Sequence, residues 1–288
     1  MISPNSGHKI PDLEQDAESS ESDVLNLKSP FRILFFGDVV GRPGRSAVRI
    51  ILPSLKDEFK PDLILANGEN LAGGLGLTRE TADDLFSYGI DFLTTGNHVW
   101  DKRTAIDYIN SEERIIRPAN YPEGAPGRGY KILDGMPVGI FNLSGRIFME
   151  ALDNPFTVAK NIVNILKDKC KVILLDFHAE ATSEKIAMGW YLDGKVSAVI
   201  GTHTHVQTAD EIILPEGSAY ITDVGMTGPA VSVIGTKKDL IIQKFLTQMP
   251  VRFDVAKGKV RVCAVIIDID TKTSKAISIQ RLQRIVER

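Results

Sequence analysis

The sequence predicts an α/β protein in which two mixed β-sheets pack as a sandwich flanked by helices. Three observations carry this. Short, continuous apolar runs alternate with helix-like segments through the first third of the chain, as parallel strands buried on both faces do. Further strand-like runs then gather in the middle and at the C-terminus. A uniform βα barrel should alternate throughout, and this chain does not.

The elements follow in order. Residues 1–30 are rich in Ser, Asp and Glu and cannot bury enough apolar surface to offset their ordering entropy; they read as a disordered acidic extension before a domain spanning residues 31–288. Phe31-Arg32-Ile33-Leu34-Phe35-Phe36 suits a strand buried on both faces. It runs into Gly37-Asp38-Val39-Val40-Gly41-Arg42-Pro43-Gly44, whose glycines match neither nucleotide-loop spacing and read as a turn. A helix is expected over residues 45–59, kinked or divided at Pro53. A second strand, residues 62–66, leads into Asn67-Gly68-Glu69-Asn70, where Asn-Gly is a turn signal. Residues 78–88 read as a helix with Thr78 as N-cap. The third strand, residues 90–95, ends at Gly96-Asn97-His98.

Strands over residues 130–133 and 138–143 precede a helix over 156–168. The run 171–176 then leads to Phe177-His178-Ala179-Glu180, and a helix over 182–192 to the run 196–200 and Gly201-Thr202-His203-Thr204-His205. Glu180, Ser183 and Glu184 fit the cap of the helix that starts near Thr182. The last strands are expected over 219–222, 260–270 and 275–282. Residues 232–258 carry Leu240, Ile241, Ile242, Phe245, Leu246, Met249 and Phe253 and read as packed core, with a cap or oligomer contact as the rival.

Bulk composition narrows the function. A net charge of −3 gives no basis for holding a nucleic-acid backbone, so no stable nucleic-acid complex is expected. No window approaches the roughly 18 apolar residues of a membrane span, and the N-terminus has no signal-peptide core. Cys170 and Cys263 read as buried free thiols, which fits a reducing cytoplasm.

Four of the five histidines follow apolar runs, and so do Asp38, Glu69-Asn70 and Asn97. Ligands of open α/β sheets bind beyond the carboxyl ends of strands. Mixed oxygen and nitrogen donors suit iron, manganese or zinc rather than calcium. The donors are too many for one tetrahedral ion, and two ions roughly 3.5–4 Å apart sharing a carboxylate account for them better. Each piece alone has a plainer reading: Asp38 as a helix cap, His-Thr-His as a core pair with both rings on one face of an extended strand.

These motifs, in this order, resemble the calcineurin-like metallophosphoesterases. The strings Gly37-Asp38-Val39-Val40-Gly41, Asn67-Gly68-Glu69-Asn70, Gly96-Asn97-His98-Val99-Trp100-Asp101, Asp176-Phe177-His178-Ala179-Glu180-Ala181-Thr182-Ser183-Glu184-Lys185 and Thr222-Asp223-Val224-Gly225-Met226-Thr227-Gly228-Pro229 are similar to the bacterial YmdB branch. The resemblance implies two divalent or mixed-valence transition metal ions per subunit, iron or manganese foremost. It also implies a phosphodiesterase that opens 2′,3′-cyclic nucleotides by a metal-bridging hydroxide, and suggests a homo-oligomer. By position, Glu69 would bridge, Asp38, His205 and Asn70 would serve one ion, and Asn97, His178 and His203 the other. His98 would be the catalytic, non-ligand histidine, held by Asp101 or another carboxylate. A metal-bound nucleotide sensor with little turnover is the rival reading. An amidohydrolase barrel fits less well, because its His-x-His belongs early in the chain and here comes late.

The wider superfamily reads Asp-x-His where this chain reads Asp38-Val39-Val40, so one imidazole ligand is absent. The ion on the Asp38 side is therefore expected to leave first. Mild chelation should abolish activity while about half the metal remains, as followed by elemental analysis; joint loss of both ions would contradict this.

Overall fold

The computed structural model describes residues 27–287. The expected disordered extension lies outside the described residues up to residue 26. In chain order the elements are β1 (Phe31–Phe36), β2 (Asp38–Val39), α1 (Gly41–Phe59), β3 (Leu63–Asn67), α2 (Arg79–Tyr88), β4 (Phe92–Thr94) and α3 (Ile106–Ser111). Then come β5 (Tyr130–Ile132), β6 (Val138–Ser144), α4 (Pro155–Leu166), β7 (Val172–His178), α5 (Thr182–Leu192) and β8 (Ala198–Thr202). The chain closes with β9 (Ile212–Ile213), β10 (Ala219–Ile221), β11 (Met226–Pro229), α6 (Lys238–Thr247), β12 (Val260–Asp270) and β13 (Lys275–Val286).

Two mixed sheets form. One runs β2-β11-β12-β1-β3-β4 with β13 along β12, and the other runs β5-β6-β7-β8-β10-β9. Strand alternation sorts the core into layers. Ile33 and Phe35 of β1 point between the sheets and meet Ile140, Leu174 and Ile200. Their neighbours Leu34 and Phe36 point outward, onto Val48, Leu52 and Leu85 of α1 and α2. On the far side, Phe141, Leu175 and Phe177 pack against Ile162, Leu166 and Met188 of α4 and α5. The central strands of each sheet are thus buried on both faces, which is why they read as unbroken apolar runs. The register aligns Ser144 with His178 and His178 with Thr202, so the strand ends of the second sheet finish level.

Two sequence expectations change. Helix α1 begins at Gly41, so Gly41 and Gly44 lie in its first turn rather than in a loop. A Cβ at Gly44 would stand 2.3 Å from the Thr227 carbonyl oxygen, so glycine lets α1 press against β11. Pro53 sits inside a continuous helix. It lies on the exposed face, where water can satisfy the carbonyl whose partner it removes. Thr78 caps α2 as expected, accepting from the Thr81 amide at 3.4 Å. Both cysteines are buried and free. Among the described residues no helix is long and apolar enough to cross a membrane.

The strand ends approach closely because glycines occupy them. A Cβ at Gly201 would stand 1.7 Å from the Thr222 carbonyl oxygen. Gly201→Ala should destabilise by at least the roughly 1–3 kcal/mol of overpacking, more than the roughly 0.5–1.5 kcal/mol of Ile200→Val. Urea midpoints measure the two, and the reverse ranking would show that this backbone yields.

Candidate metal centre

The expected donors converge where the two sheets meet. Glu69, His178 and His203 bring donor atoms within 4.8 Å of one another, and so do Asp38, Glu69 and His205. Glu69 belongs to both groups. An amide oxygen stands at each: Asn97 Oδ1 lies 3.0 Å from His178 Nε2, and Asn70 Oδ1 lies 3.2 Å from His205 Nε2.

Proton positions follow from the partners. The Thr202 hydroxyl donates to Asp176 Oδ1 at 2.6 Å and so accepts from His178 Nδ1–H at 2.9 Å. His178 Nε2 then faces three acceptors: Asn97 Oδ1 at 3.0 Å, His203 Nδ1 at 3.0 Å and Glu69 Oε1 at 3.2 Å. One N–H cannot serve all three, whereas a cation can. His205 repeats the logic. Its Nδ1 lies 2.9 Å from the Ile234 carbonyl, which only accepts, so Nδ1 donates there and Nε2 is turned toward Asn70. The Asn70 amide donates from Nδ2 to the Gly74 carbonyl at 2.9 Å, which turns its oxygen inward. Asp38 Oδ1 is buried with no hydrogen-bond partner, an expensive state for a carboxylate oxygen unless a cation meets it. At Gly96 a Cβ would intrude to 2.3 Å from Glu69 Oε2 and His178 Nε2, so glycine keeps this cradle open. Carboxylates, imidazoles and amide oxygens facing lone pair to lone pair fit transition-metal ions.

Burial and neighbouring charges shift the protonation of these groups. Burial alone would lower His178, but Glu69 beside it, then Asp38, outweigh this and lift it to about 9. Burial and the neighbouring His178 charge drive His203 down to about 3. Burial raises Asp38 to about 6 against the pull of His205 and His178. Burial also opposes ionisation of Glu69, yet His178 wins and holds it at about 2. His178 therefore carries positive charge beside Glu69 while His203 stays neutral.

A second layer, only partly foreseen from the sequence, holds the donors in place. Asp176 is buried and accepts from Thr94 Oγ1 at 2.5 Å and Asn67 Nδ2 at 2.9 Å, besides Thr202. His203 and His205 lie beyond the end of β8, with φ of 101° and 64°. The expectation that both rings share one face of an extended strand therefore fails, and each ring joins a different donor group. Left-handed backbone at non-glycine residues costs of order 1–3 kcal/mol each. A buried ion pair braces the loop. Lys185 Nζ donates to the Thr202 carbonyl at 2.6 Å and to Asp223 Oδ2 at 2.7 Å, and that oxygen also accepts from the Thr204 amide at 3.0 Å. No side chain caps α5. Glu184 instead accepts from the Arg146 amide at 3.1 Å, and Glu180 Oε2 lies 3.2 Å from His203 Nε2. Asp101, which can also be read as a helix cap, pairs with His98 Nδ1 at 2.9 Å. The His98 amide donates to Glu69 Oε2 at 3.1 Å.

A sequence model of the YmdB-like protein family matches residues 34–282. The chain is 51% identical over 253 residues to a 2′,3′-cyclic-nucleotide 2′-phosphodiesterase of Bacillus subtilis, covering 87% of this chain and 96% of that one. Two crystal structures share its fold. One, a hypothetical protein from Thermus thermophilus, has a TM-score of 0.83 at 41% identity over 89% of this chain and 100% of its own. The other, a novel phosphatase from Mycoplasma pneumoniae, has a TM-score of 0.86 at 34% identity over 91% and 95%.

Because His178 stands at about 9, a metal ion taken up below that pH displaces its proton. Uptake at pH 7.5 should release about one proton per protein from this group. Apparent metal affinity should accordingly rise with pH and level off as the pH passes about 9. Calorimetry in buffers of different ionisation enthalpy counts the proton, and uptake without release would refute a charged His178.

Proposed function

The chain belongs to the YmdB-like protein family, and we propose that its centre hydrolyses 2′,3′-cyclic nucleoside monophosphates with two transition-metal ions, iron or manganese, breaking the 2′ ester. The observation that carries this reading is the pair of donor groups sharing Glu69, with Asp38 Oδ1 left bare between them. Asp38, Glu69, His205 and Asn70 would hold one ion, and Glu69, His178, His203 and Asn97 the other. When bound, such ions supply water of lowered pKa and offset charge on the phosphoryl oxygens.

The protein's own groups do the rest. His98 is not needed as a ligand. Its Nδ1 is held by Asp101 at 2.9 Å and its backbone by Glu69, which leaves Nε2 to carry a proton toward the substrate. In the hydrolysis a water oxygen bonds to phosphorus and loses one proton to solvent, the bond from phosphorus to O2′ breaks, and His98 gives its proton to O2′ and regains one from solvent. The product is a nucleoside 3′-monophosphate. Asp101 keeps the ring in register. A small cyclic nucleotide is the substrate. A single folded domain from residue 31 onward is part of the same reading, as is a place in the cytoplasm.

The decisive experiment pairs elemental analysis of the purified protein with product identification on a panel of cyclic nucleotides. Two metals per chain and a 3′-monophosphate product are expected; absence of both metal and hydrolysis would end the reading. His98→Ala should lower kcat by roughly 10²–10⁴-fold, the range for a lost general acid, at unchanged metal content. Loss of metal in that variant would make His98 a ligand instead.

A further inference from the structure

A narrow cleft opens beside the metal centre. Leu75, Val40, Ile234, Val255 and Phe253 line it, and His205 forms one side. The walls are mainly apolar. Asp254 also borders the cleft, but its carboxylate is paired with Lys237 at 2.9 Å. Glycines hold the walls apart: a Cβ at Gly74 would stand 2.9 Å from a Val255 methyl, and one at Gly235 would stand 2.9 Å from a Val40 methyl. The cleft is small, about 70 Å³, so it admits part of one planar ring and not a second nucleotide.

Its position suits one part of the proposed substrate. The loop that supplies Gly74 and Leu75 continues to Gly76, where a Cβ would stand 3.3 Å from the His98 carbonyl oxygen. One loop therefore borders both the cleft and the residue assigned to protonate O2′. In a nucleoside the base sits on C1′, directly beside C2′. A substrate with O2′ at His98 and its phosphate at Asp38, Glu69 and His205 would lie between the two histidines that border this loop and the cleft. Phe253 is half-exposed at the cleft, with Lys244 Nζ 4.8 Å from its ring centroid. A cation over an aromatic ring occupies one face and leaves the other for stacking.

We propose that this cleft receives the nucleobase, with Phe253 as its stacking face and the Gly73–Gly76 loop as its opposite wall. The inference rests on the phosphodiesterase reading of the metal centre and assigns the part of the molecule that separates a nucleotide from a bare cyclic phosphate. The competing aromatic is Phe148, 88% exposed in the loop after β6, on the side of the centre formed by the second sheet.

The test compares kcat/KM for 2′,3′-cyclic adenosine monophosphate with that for ribose 2′,3′-cyclic phosphate, which has no base. Phe253→Ala should cut the advantage of the nucleotide by about fivefold or more, chiefly through KM, as loss of one stacked base requires. Phe253→Tyr, which keeps the ring, should retain it. Calorimetric affinity for adenosine 3′-monophosphate should fall with Phe253→Ala by a similar factor. Phe148→Ala should leave the advantage in place. An unchanged ratio in Phe253→Ala, or its loss in Phe148→Ala, would overturn the assignment of the cleft while hydrolysis itself stands. Hydrolysis of neither ester by the unaltered enzyme would instead remove the phosphodiesterase reading beneath it.

Discussion

The structure depends on how it keeps Asp38 and Glu69 buried. Both carboxylates are shut away from water where the two sheets meet, and Asp176 lies buried close behind them. Burying a charge without a partner is among the most unfavourable things a fold can do. The cations within reach are imidazoles, and His178 among them is held well above its ordinary range. The arrangement of side chains is therefore a compromise in which His178 offsets part of the buried negative charge. Asp38 Oδ1 without a hydrogen bond is the visible remainder.

That compromise needs rigid support, because donors facing one another would otherwise relax apart. The support comes from strand ends rather than from the loops themselves. Asp176 lies near the end of β7 and, through Thr202 at the end of β8, fixes the orientation of the His178 ring. Lys185 reaches from α5 to the same Thr202 and to Asp223, and Asp223 anchors the Thr204 amide. The His203 and His205 backbones are thus held in left-handed conformations that neither residue favours alone. The Lys185–Asp223 pair is itself fully buried, so it adds specificity of geometry more surely than net stability.

Much of this is legible in the sequence, for a definite reason. A strand buried on both faces must end its apolar run when it reaches water or a site, so Asp38, Glu69, Asn97, His178 and His203 stand out as polar residues that follow such runs. Asp101 as the partner of His98 is within reach of three-residue spacing. The supporting layer is not legible in the same way. Asp176 and Lys185 stand inside the motifs, but spacing assigns them no role, since pairing between α5 and residue 223 is fixed only by tertiary packing. The segment around α6 departs from its sequence expectation altogether. Its apolar residues suggest core, yet none in α6 is buried, and Phe245 and Leu246 are largely exposed. Composition alone cannot separate a covered face from an open one when periodicity is mixed.

The placement of α6 also explains why the two halves of the centre differ. The His178 half is sealed by the second sheet: Asp176, Thr202 and Lys185 surround it, and His178 has no exposed surface. The His205 half borders the irregular segment that flanks α6, giving its ring's hydrogen bond to the Ile234 carbonyl and lying against the cleft. A valine, Val40, lines the cleft beside it. A site built this way is sealed on one side and open and apolar on the other. Such an asymmetry suits a substrate whose charged phosphate must be fixed while its apolar base is received from solvent.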